Sequence, residues 1–282
     1  MIYLPIIGSV MEAAGMIIEK KILKQKSVNF KNYVVYEFLA IVLVMLPLLY
    51  FVWGLDSRAL ELKNILLFSL VVFVSVIANL LVFYSLKREK VTEFEPIWLM
   101  QPFFTILLAF TIYADERNWY VIGLAIIASM TLVLSHVKKH HLAFDKYIFA
   151  ALLGGFCFSL ELVISKSILE YYSPFSFYFL RCLFIFLICF MLFNNEVKKV
   201  KGTTVLQLVI VGLLWIFYRA IMYYGYGSMG IVFTTILFIL SPVFLFIFAA
   251  VFLKEKPTMR NIISSIVIVL CVIGAIILNA SA

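Results

Sequence analysis

The chain has 282 residues, of which 65% are hydrophobic and 13% are charged. A soluble domain carries about 25% charged residues, so this composition excludes an ordinary soluble protein and a disordered chain. The four cysteines lie in apolar runs without a CxxC pair, which indicates small buried side chains and not a metal or redox site. The chain is therefore expected to be an integral membrane protein.

Long runs without acidic or basic residues alternate with short polar loops along the chain. A membrane-spanning helix needs about 20 apolar residues, and these runs are too long and too uniformly apolar for β-barrel strands. The run 220–253 is too long for one span, and Gly225, Gly227, Ser228 and Gly230 predict a turn that divides it. The predicted fold is an all-α integral membrane protein with ten transmembrane helices, at 2–22, 33–53, 64–86, 94–114, 118–137, 147–169, 174–194, 203–224, 231–253 and 260–279.

The second half of the chain repeats the first. A shift of 146 residues aligns Gly8 with Gly154, and a shift of 140 residues aligns Pro102 with Pro242. We therefore predict two five-helix repeats, at residues 1–141 and 142–282. Because five is odd, two such halves in series cross the membrane in opposite senses, and inverted repeats are typical of transporters.

The loop charges give an expected orientation. Lys and Arg number 17 near the loops that follow the odd-numbered helices and 4 near those that follow the even-numbered ones. By the positive-inside rule the rich loops face the cytosol, which places both termini outside, most naturally at the plasma membrane. The net charge of +8 thus indicates contact with anionic membrane lipids and not with nucleic acid.

Two segments combine a proline early in a helix with a charged loop after that helix. They are Gln101-Pro102-Phe103-Phe104-Thr105, followed by Ala114-Asp115-Glu116-Arg117, and Leu240-Ser241-Pro242-Val243-Phe244, followed by Leu253-Lys254-Glu255-Lys256-Pro257-Thr258. They resemble the fourth and ninth helices of EamA-like transporters in the drug/metabolite transporter (DMT) superfamily.

The resemblance implies a ten-helix bundle around a central substrate cavity, lined mainly by helices 1, 3, 4, 6, 8 and 9. It also implies alternating access, in which one bundle rocks against the other. The family arrangement places both termini in the cytosol, so the resemblance and the loop charges disagree on orientation.

Ionisable residues inside the predicted spans are the main candidates for function, because each costs roughly 2.5–3.5 kcal/mol on insertion scales. Glu12 and Glu19 share one face of the first helix, and Glu161 lies on the matching face of the sixth. Glu12 and Glu161 indicate either a midline substrate or coupling site or buried structural hydrogen bonds. Glu19 stands beside Lys20, which favours an ion pair at the membrane interface.

Arg219 lies at the centre of a face of the eighth helix that also carries Trp215 and Tyr223. Asn79 occupies the position in the third helix that matches Arg219 in the repeat. Arg219 can bind a carboxylate or phosphate of a substrate, or it can pair with a glutamate of the bundle.

Glu37 and Arg181 lie in the second and seventh helices, which are partners in the repeat. They can pair with each other, or each can reach the membrane interface.

The fourth helix carries Trp98, Gln101 and Pro102, and the ninth carries Pro242. Each proline frees a backbone carbonyl and predicts a helix kink that faces protein or water, or one that serves packing alone. Aromatic side chains beside carboxylates suit a cation. The deep charges lean acidic, which favours a cationic or zwitterionic substrate or a proton.

The predicted function is a secondary transporter of a small polar metabolite, with amino acids, amines and quaternary ammonium compounds favoured and proton coupling left open. We expect no cofactor and no enzymatic activity, since phosphate-binding loops, metal-ligand spacings and nucleophile motifs are missing from the sequence. A membrane enzyme acting on a lipid-linked substrate, or a receptor or assembly subunit without transport, is the alternative. An internally duplicated bundle suits a monomer or a homodimer. The candidate substrate or coupling residues are Glu12, Glu37, Asn79, Trp98, Gln101, Glu161, Arg181, Trp215, Arg219 and Tyr223.

Overall fold

The computed structural model describes residues 3–25, 28–88, 97–98, 100–136, 146–196, 200–252 and 259–280. Within these ranges the backbone is helical, and apart from one isolated bridge between Leu55 and Tyr172 it contains no β-structure. The α-helices are α1 (Tyr3–Leu23), α2 (Phe30–Val52), α3 (Leu62–Arg88), α4 (Gln101–Ile112), α5 (Trp119–His136), α6 (Lys146–Lys166), α7 (Pro174–Phe193), α8 (Gly202–Met229), α9 (Ile231–Phe238), α10 (Ser241–Phe252) and α11 (Met259–Ala280). The all-α prediction is confirmed.

Within the described ranges, six stretches of helix are long and apolar enough to cross a membrane. They are Phe30–Val52, Leu62–Arg88, Lys146–Lys166, Pro174–Phe193, Gly202–Met229 and Ile231–Phe248, the last of which covers α9 and the first part of α10. The first helix, α1, is not among them because Glu12, Glu19, Lys20 and Lys21 interrupt its apolar surface. Three shorter apolar stretches, Gln101–Ile112, Trp119–Thr131 and Ile262–Leu278, accompany the six. The chain is therefore a multi-pass membrane protein.

Helices at matching positions in the two halves of the chain pack on matching partners. The α3 helix packs on α6, and α8, which matches α3 in the sequence repeat, packs on α1, the match of α6. Likewise α4 packs on α6, whereas α9 and α10 pack on α1. The α2 helix packs on its own match α7, and α5 on its own match α11. The sequence repeat is thus also a repeat of helix contacts.

The loops that carry few basic residues meet at one end of the bundle. The N–H of Ser173, after α6, donates to the carbonyl of Gly54, after α2, at 2.8 Å. The N–H of Gly54 donates to Ser176 Oγ at 2.9 Å. Lys166, at the end of α6, contacts Asp115 in the α4–α5 loop, at 2.9 Å. Loops that the charge count grouped together are therefore neighbours in space.

The turn predicted at residues 225–230 is displaced toward its end. The α8 helix continues through Gly225, Gly227 and Ser228 to Met229, and the chain turns at Gly230, whose φ is 86°. Glycine is tolerated in a membrane helix, where every backbone group must be paired. At Gly225 a Cβ atom would lie 2.6 Å from Thr234 Cγ2, so close packing of α8 on α9 explains that glycine.

Pro102 and Pro242 each lie in the first turn of a helical segment. Pro102 is the second residue of α4, and Pro242 is the second residue of α10, where Ile239 and Leu240 separate α9 from α10. Proline fits the first turn of a helix because its missing N–H would have no partner there. The predicted start of the fourth helix at residue 94 lies outside the described residues.

Candidate functional site

A buried ionic cluster lies where α6, α7 and α8 meet. Its centre is the carboxylate of Glu161, which is fully buried. Arg181 Nε lies 3.1 Å from Glu161 Oε1, and Arg219 Nη1 lies 3.6 Å from Glu161 Oε2. The Tyr223 hydroxyl donates to Glu161 Oε1 at 3.1 Å, and the Ser165 hydroxyl donates to the same atom at 3.2 Å. The face of α6 that carries Glu161 therefore holds one carboxylate that two guanidinium groups contact.

Arg181 is also held by α3. Its Nε donates to Ser75 Oγ at 2.9 Å, and the Ser75 hydroxyl in turn donates to the carbonyl of Val71 at 2.7 Å. Asn79 Nδ2 donates to the carbonyl of Ser75 at 2.7 Å. With 2% of its surface exposed, Arg181 links α3, α6 and α7 through fixed protein partners. This arrangement suits a structural ion pair better than a substrate contact.

Arg219 has looser surroundings than Arg181. Its guanidinium carbon lies 5.5 Å from the centre of the Phe158 ring and 5.7 Å from that of Tyr218, which are distances typical of cation–π contacts. It interacts electrostatically with Glu12 of α1 as well as with Glu161. Arg219 therefore lies between the acid of the buried cluster and a second acid.

Glu12 is the partly exposed acid of this group. The Tyr218 hydroxyl donates to Glu12 Oε1 at 3.1 Å, and Ser241, at the start of α10, also interacts with this carboxylate. Trp215 packs edge-on against Tyr218, with ring centres 5.2 Å apart, and its buried Nε1 has no hydrogen-bond partner in the part of the chain that the structure describes. Tyr218 therefore contacts both the Glu12 carboxylate and the Trp215 ring.

Trp98 and Gln101 border the same region from the fourth predicted helix. Trp98 packs edge-on against Phe158 with ring centres 5.6 Å apart, and Phe158 also faces Arg219. Gln101, the first residue of α4, packs against α6, and its backbone carbonyl accepts a hydrogen bond from the Ser159 hydroxyl at 2.8 Å. Both side chains are partly exposed. A continuous series of contacts therefore runs from Trp98 through Phe158 and Arg219 to Tyr218 and Glu12.

The pairing of Glu37 with Arg181, one of the two predicted alternatives, does not form, because Arg181 is bound by Glu161 and Ser75. Glu37 instead interacts with Tyr33 and Glu19. Glu19 is 5% exposed and interacts with Lys20, so its pairing with that neighbour stays the prediction for this residue. Of the ten candidate side chains, Glu37 thus lies apart from the cluster around Glu161.

Sequence reasoning did not assign a role to Glu116, which joins the two halves at one end of the bundle. Its carboxylate accepts the N–H groups of Ile231 and Val232, at 2.6 and 3.0 Å, and thereby caps the N-terminus of α9. Lys166 contacts both Glu116 and its neighbour Asp115. The hydrogen bond from Lys166 holds the pKa of Asp115 below its usual value. Lys166 is the sequence feature that could have indicated this contact, since it is one of the few basic residues in the charge-poor loops.

Comparison with known proteins agrees with this architecture. A solved crystal structure, described only as that of a protein, superposes with a TM-score of 0.75 over 99% of this chain and 97% of its own. The two sequences are 14% identical, so this similarity shows the fold alone. No curated protein matches the sequence.

The family model of EamA-like transporters matches twice, at residues 1–136 and 145–280, and so covers nearly the whole chain. The two matches coincide with the two halves that share helix contacts. This chain therefore belongs to the EamA-like transporter family of the DMT superfamily and is a membrane transporter.

Proposed function

We propose that this protein is a secondary transporter of a small zwitterionic metabolite, such as an amino acid, and that it works by alternating access. Simple amines and quaternary ammonium compounds are the related substrates that the same site would accept. The observation that carries the proposal is the pair of opposite charges at Glu12 and Arg219, set among aromatic rings. Aromatic faces and a carboxylate attract an ammonium group, and a guanidinium binds a carboxylate.

Three features favour Glu12 over Glu161 as the acid that meets substrate. Glu12 is partly exposed, whereas Glu161 is fully buried. Glu161 already contacts two arginines and two hydroxyls. The ring of Trp215 packs on Tyr218, which binds Glu12, and among the described residues its Nε1 has no hydrogen-bond partner, so it is a donor available to a polar ligand.

The proposal includes ten membrane spans in two inverted halves, residues 1–141 and 142–282. The odd number of helices in each half supports the inversion, and so does the meeting of the charge-poor loops at one end of the bundle. The distribution of 17 basic residues against 4 supports a plasma-membrane orientation with the charge-rich end in the cytosol and both termini outside.

The direct test is uptake by proteoliposomes that contain the purified full-length chain. A labelled panel would include a neutral amino acid, a primary amine, a quaternary ammonium compound and a simple carboxylate, with and without a pH gradient. We expect the amino acid to move, with weaker flux of the amines and none of the carboxylate. Absence of flux for every member under both conditions would overturn the proposal.

Glu12→Gln provides the test at the level of one side chain. Removal of this charge should abolish amino acid uptake while the thermal unfolding of the protein stays close to that of the wild type. Glu170→Gln, at an exposed glutamate after α6, is the matched control and should transport normally. Equal transport by Glu12→Gln and the control would show that Glu12 does not bind substrate.

A further inference from the structure

The helices around the candidate site pack in two groups. Group A consists of α3, α4 and α6, and group B consists of α1, α8, α9 and α10. Among the described residues, the helices of each group pack mainly on one another, and the groups meet chiefly where α4 packs on α9 and α1 on α3. Alternating access requires two such groups to separate at one end at a time.

At the charge-poor end, group A holds group B through Glu116, which follows α4. The Glu116 carboxylate accepts the N–H groups of Ile231 and Val232 of α9, at 2.6 and 3.0 Å. Gly230 passes so close that a Cβ atom there would lie 2.8 Å from Glu116 Oε1. A charged side chain of group A therefore caps a helix N-terminus of group B.

Glu116 is fixed more firmly to its own group. Lys166, at the end of α6, contacts both Glu116 and Asp115. Tyr113, which directly follows α4, donates from its hydroxyl to the carbonyl of Val163 in α6 at 2.7 Å. These contacts lie within group A and can persist when the groups separate. The hydrogen bonds from α9 to Glu116 are the ones that separation must break.

At the charge-rich end, group A holds group B through Lys87, in the last turn of α3. Lys87 Nζ donates to the carbonyl of Leu23, the last residue of α1, at 2.6 Å and to that of Gln25 at 2.9 Å. A helix C-terminus carries a partial negative charge that attracts a cation. The side chain of Gln25 is hydrogen-bonded to Gln207 and Thr204 of α8, at 3.3 and 3.1 Å, and so belongs to group B.

The two ends therefore carry the same kind of contact with the charges reversed. A carboxylate of group A caps a helix N-terminus at one end, and an ammonium group of group A caps a helix C-terminus at the other. Water can replace either partner once the groups separate, so the net free energy of such hydrogen bonds is modest. Contacts of this kind can break and re-form during a transport cycle.

We propose that Glu116 and Lys87 are the gates at the two ends of the transporter and that they release one at a time. Release of Glu116 from α9 opens the charge-poor end while Lys87 still holds the groups together. Release of Lys87 from α1 opens the charge-rich end while Glu116 stays bound. The structure, in which both contacts are formed, then corresponds to the intermediate between the two open states. This inference rests on the proposed alternating access.

Distances between spin labels on the purified full-length protein report on each end separately. One label pair uses Thr111→Cys in α4 with Ser228→Cys in α8, and the other uses Lys21→Cys in α1 with Arg88→Cys in α3. All four positions are exposed, and the four native cysteines are replaced by serine in this background.

Each gate variant should open its own end. In Glu116→Ala we expect the ratio of long to short distances at the charge-poor end to rise roughly tenfold or more, the effect of losing hydrogen bonds to a charged group. The distances at the charge-rich end should stay as in the wild type. Lys87→Ala should give the opposite pattern.

Further variants keep the test decisive. Glu116→Gln and Lys87→Gln retain a polar group, so they should fold even where an alanine variant does not, and each should give a smaller shift of the same sign. The controls are Asp115→Asn, which also removes a charge beside Lys166, and Lys63→Ala, at an exposed lysine in the first turn of α3. Both controls should keep the wild-type distances.

Two results would overturn the proposal. One is a wild-type distance distribution in both variants of either gate, and the other is opening of the same end by variants of both gates. Failure of the transport proposal looks different, because the distances are measured without substrate. Changed distances without flux in proteoliposomes would leave the gates and remove the transporter, and flux with unchanged distances would do the reverse.

Discussion

Arg181 Nε lies 3.1 Å from Glu161 Oε1 within the bundle, and the two side chains are 2% and 0% exposed. Arg219 reaches the other oxygen of the same carboxylate at 3.6 Å. The single buried carboxylate of Glu161 therefore pairs with two buried guanidinium groups. The three residues are not equivalent, because loss of the acid leaves two charges unpaired and loss of Arg181 leaves an acid that still has Arg219.

This asymmetry predicts an order of stabilities. Removal of one partner from a buried ion pair costs about 3–5 kcal/mol. We expect Glu161→Gln to reach the upper end of that range and Arg181→Gln the lower end, as measured by thermal unfolding of the purified proteins. Tyr223→Phe removes one hydrogen bond to the carboxylate and should cost about 1.5–3 kcal/mol. Equal losses for the acid and for Arg181 would contradict the shared-acid arrangement.

The spacing of residues along the helices pointed to some of the side chains that face the interior but not to how they pair. Spacing along the helices placed Glu12 and Glu161 on inward faces, and the repeat pointed to Arg219. The choice of partner for Arg181 depends on the depth of α7 relative to α2 and α6, and periodicity carries no information on depth. The cap that Glu116 provides joins residues more than a hundred positions apart, so no local pattern indicates it.

Glu116 should contribute strongly to the contact between the two halves. Glu116→Ala removes both acceptors from the first turn of α9 and the partner of Lys166. Loss of a helix N-cap costs about 0.5–2 kcal/mol, and two buried N–H groups without acceptors add to that cost. We expect a loss of about 2–3 kcal/mol in the free energy of unfolding, measured by thermal or chemical denaturation.

Asp115→Asn is the control for the Glu116 variant. Asp115 also pairs with Lys166, but its side chain is 70% exposed. Exposed ion pairs contribute about 0–1 kcal/mol, so this variant should unfold close to the wild type. If the two variants were equally destabilised, the effect would come from Lys166 and not from the capped helix.

Asp56 gives a prediction for pH dependence outside the membrane spans. Hydrogen bonds from the side chain and the backbone N–H of Arg58 lower the pKa of Asp56 from 3.8 to about 2. The interaction therefore stabilises the folded state fully above pH 3.8, and this contribution is lost as the pH falls toward 2. Arg58→Gln should raise the pKa, though not fully to 3.8 because the backbone hydrogen bond remains. Carboxyl-carbon NMR titration measures both values, and an unchanged pKa in the variant would contradict the assignment.

Gly230 should resist substitution because its φ is 86° and because a Cβ atom would lie 2.8 Å from Glu116 Oε1. A positive φ with an extended ψ of 163° costs a residue other than glycine about 1–3 kcal/mol, and displacement of the Glu116 carboxylate weakens the cap on α9. We expect Gly230→Ala to lower the free energy of unfolding by about 2–3 kcal/mol. Gly227→Ala, three residues earlier in α8 with open space around it, removes a flexible residue from a helix and should stabilise by up to about 1 kcal/mol. The measurement is thermal unfolding of both variants under the same conditions. An unchanged stability of Gly230→Ala would contradict the turn at residue 230 and the end of α8 at Met229.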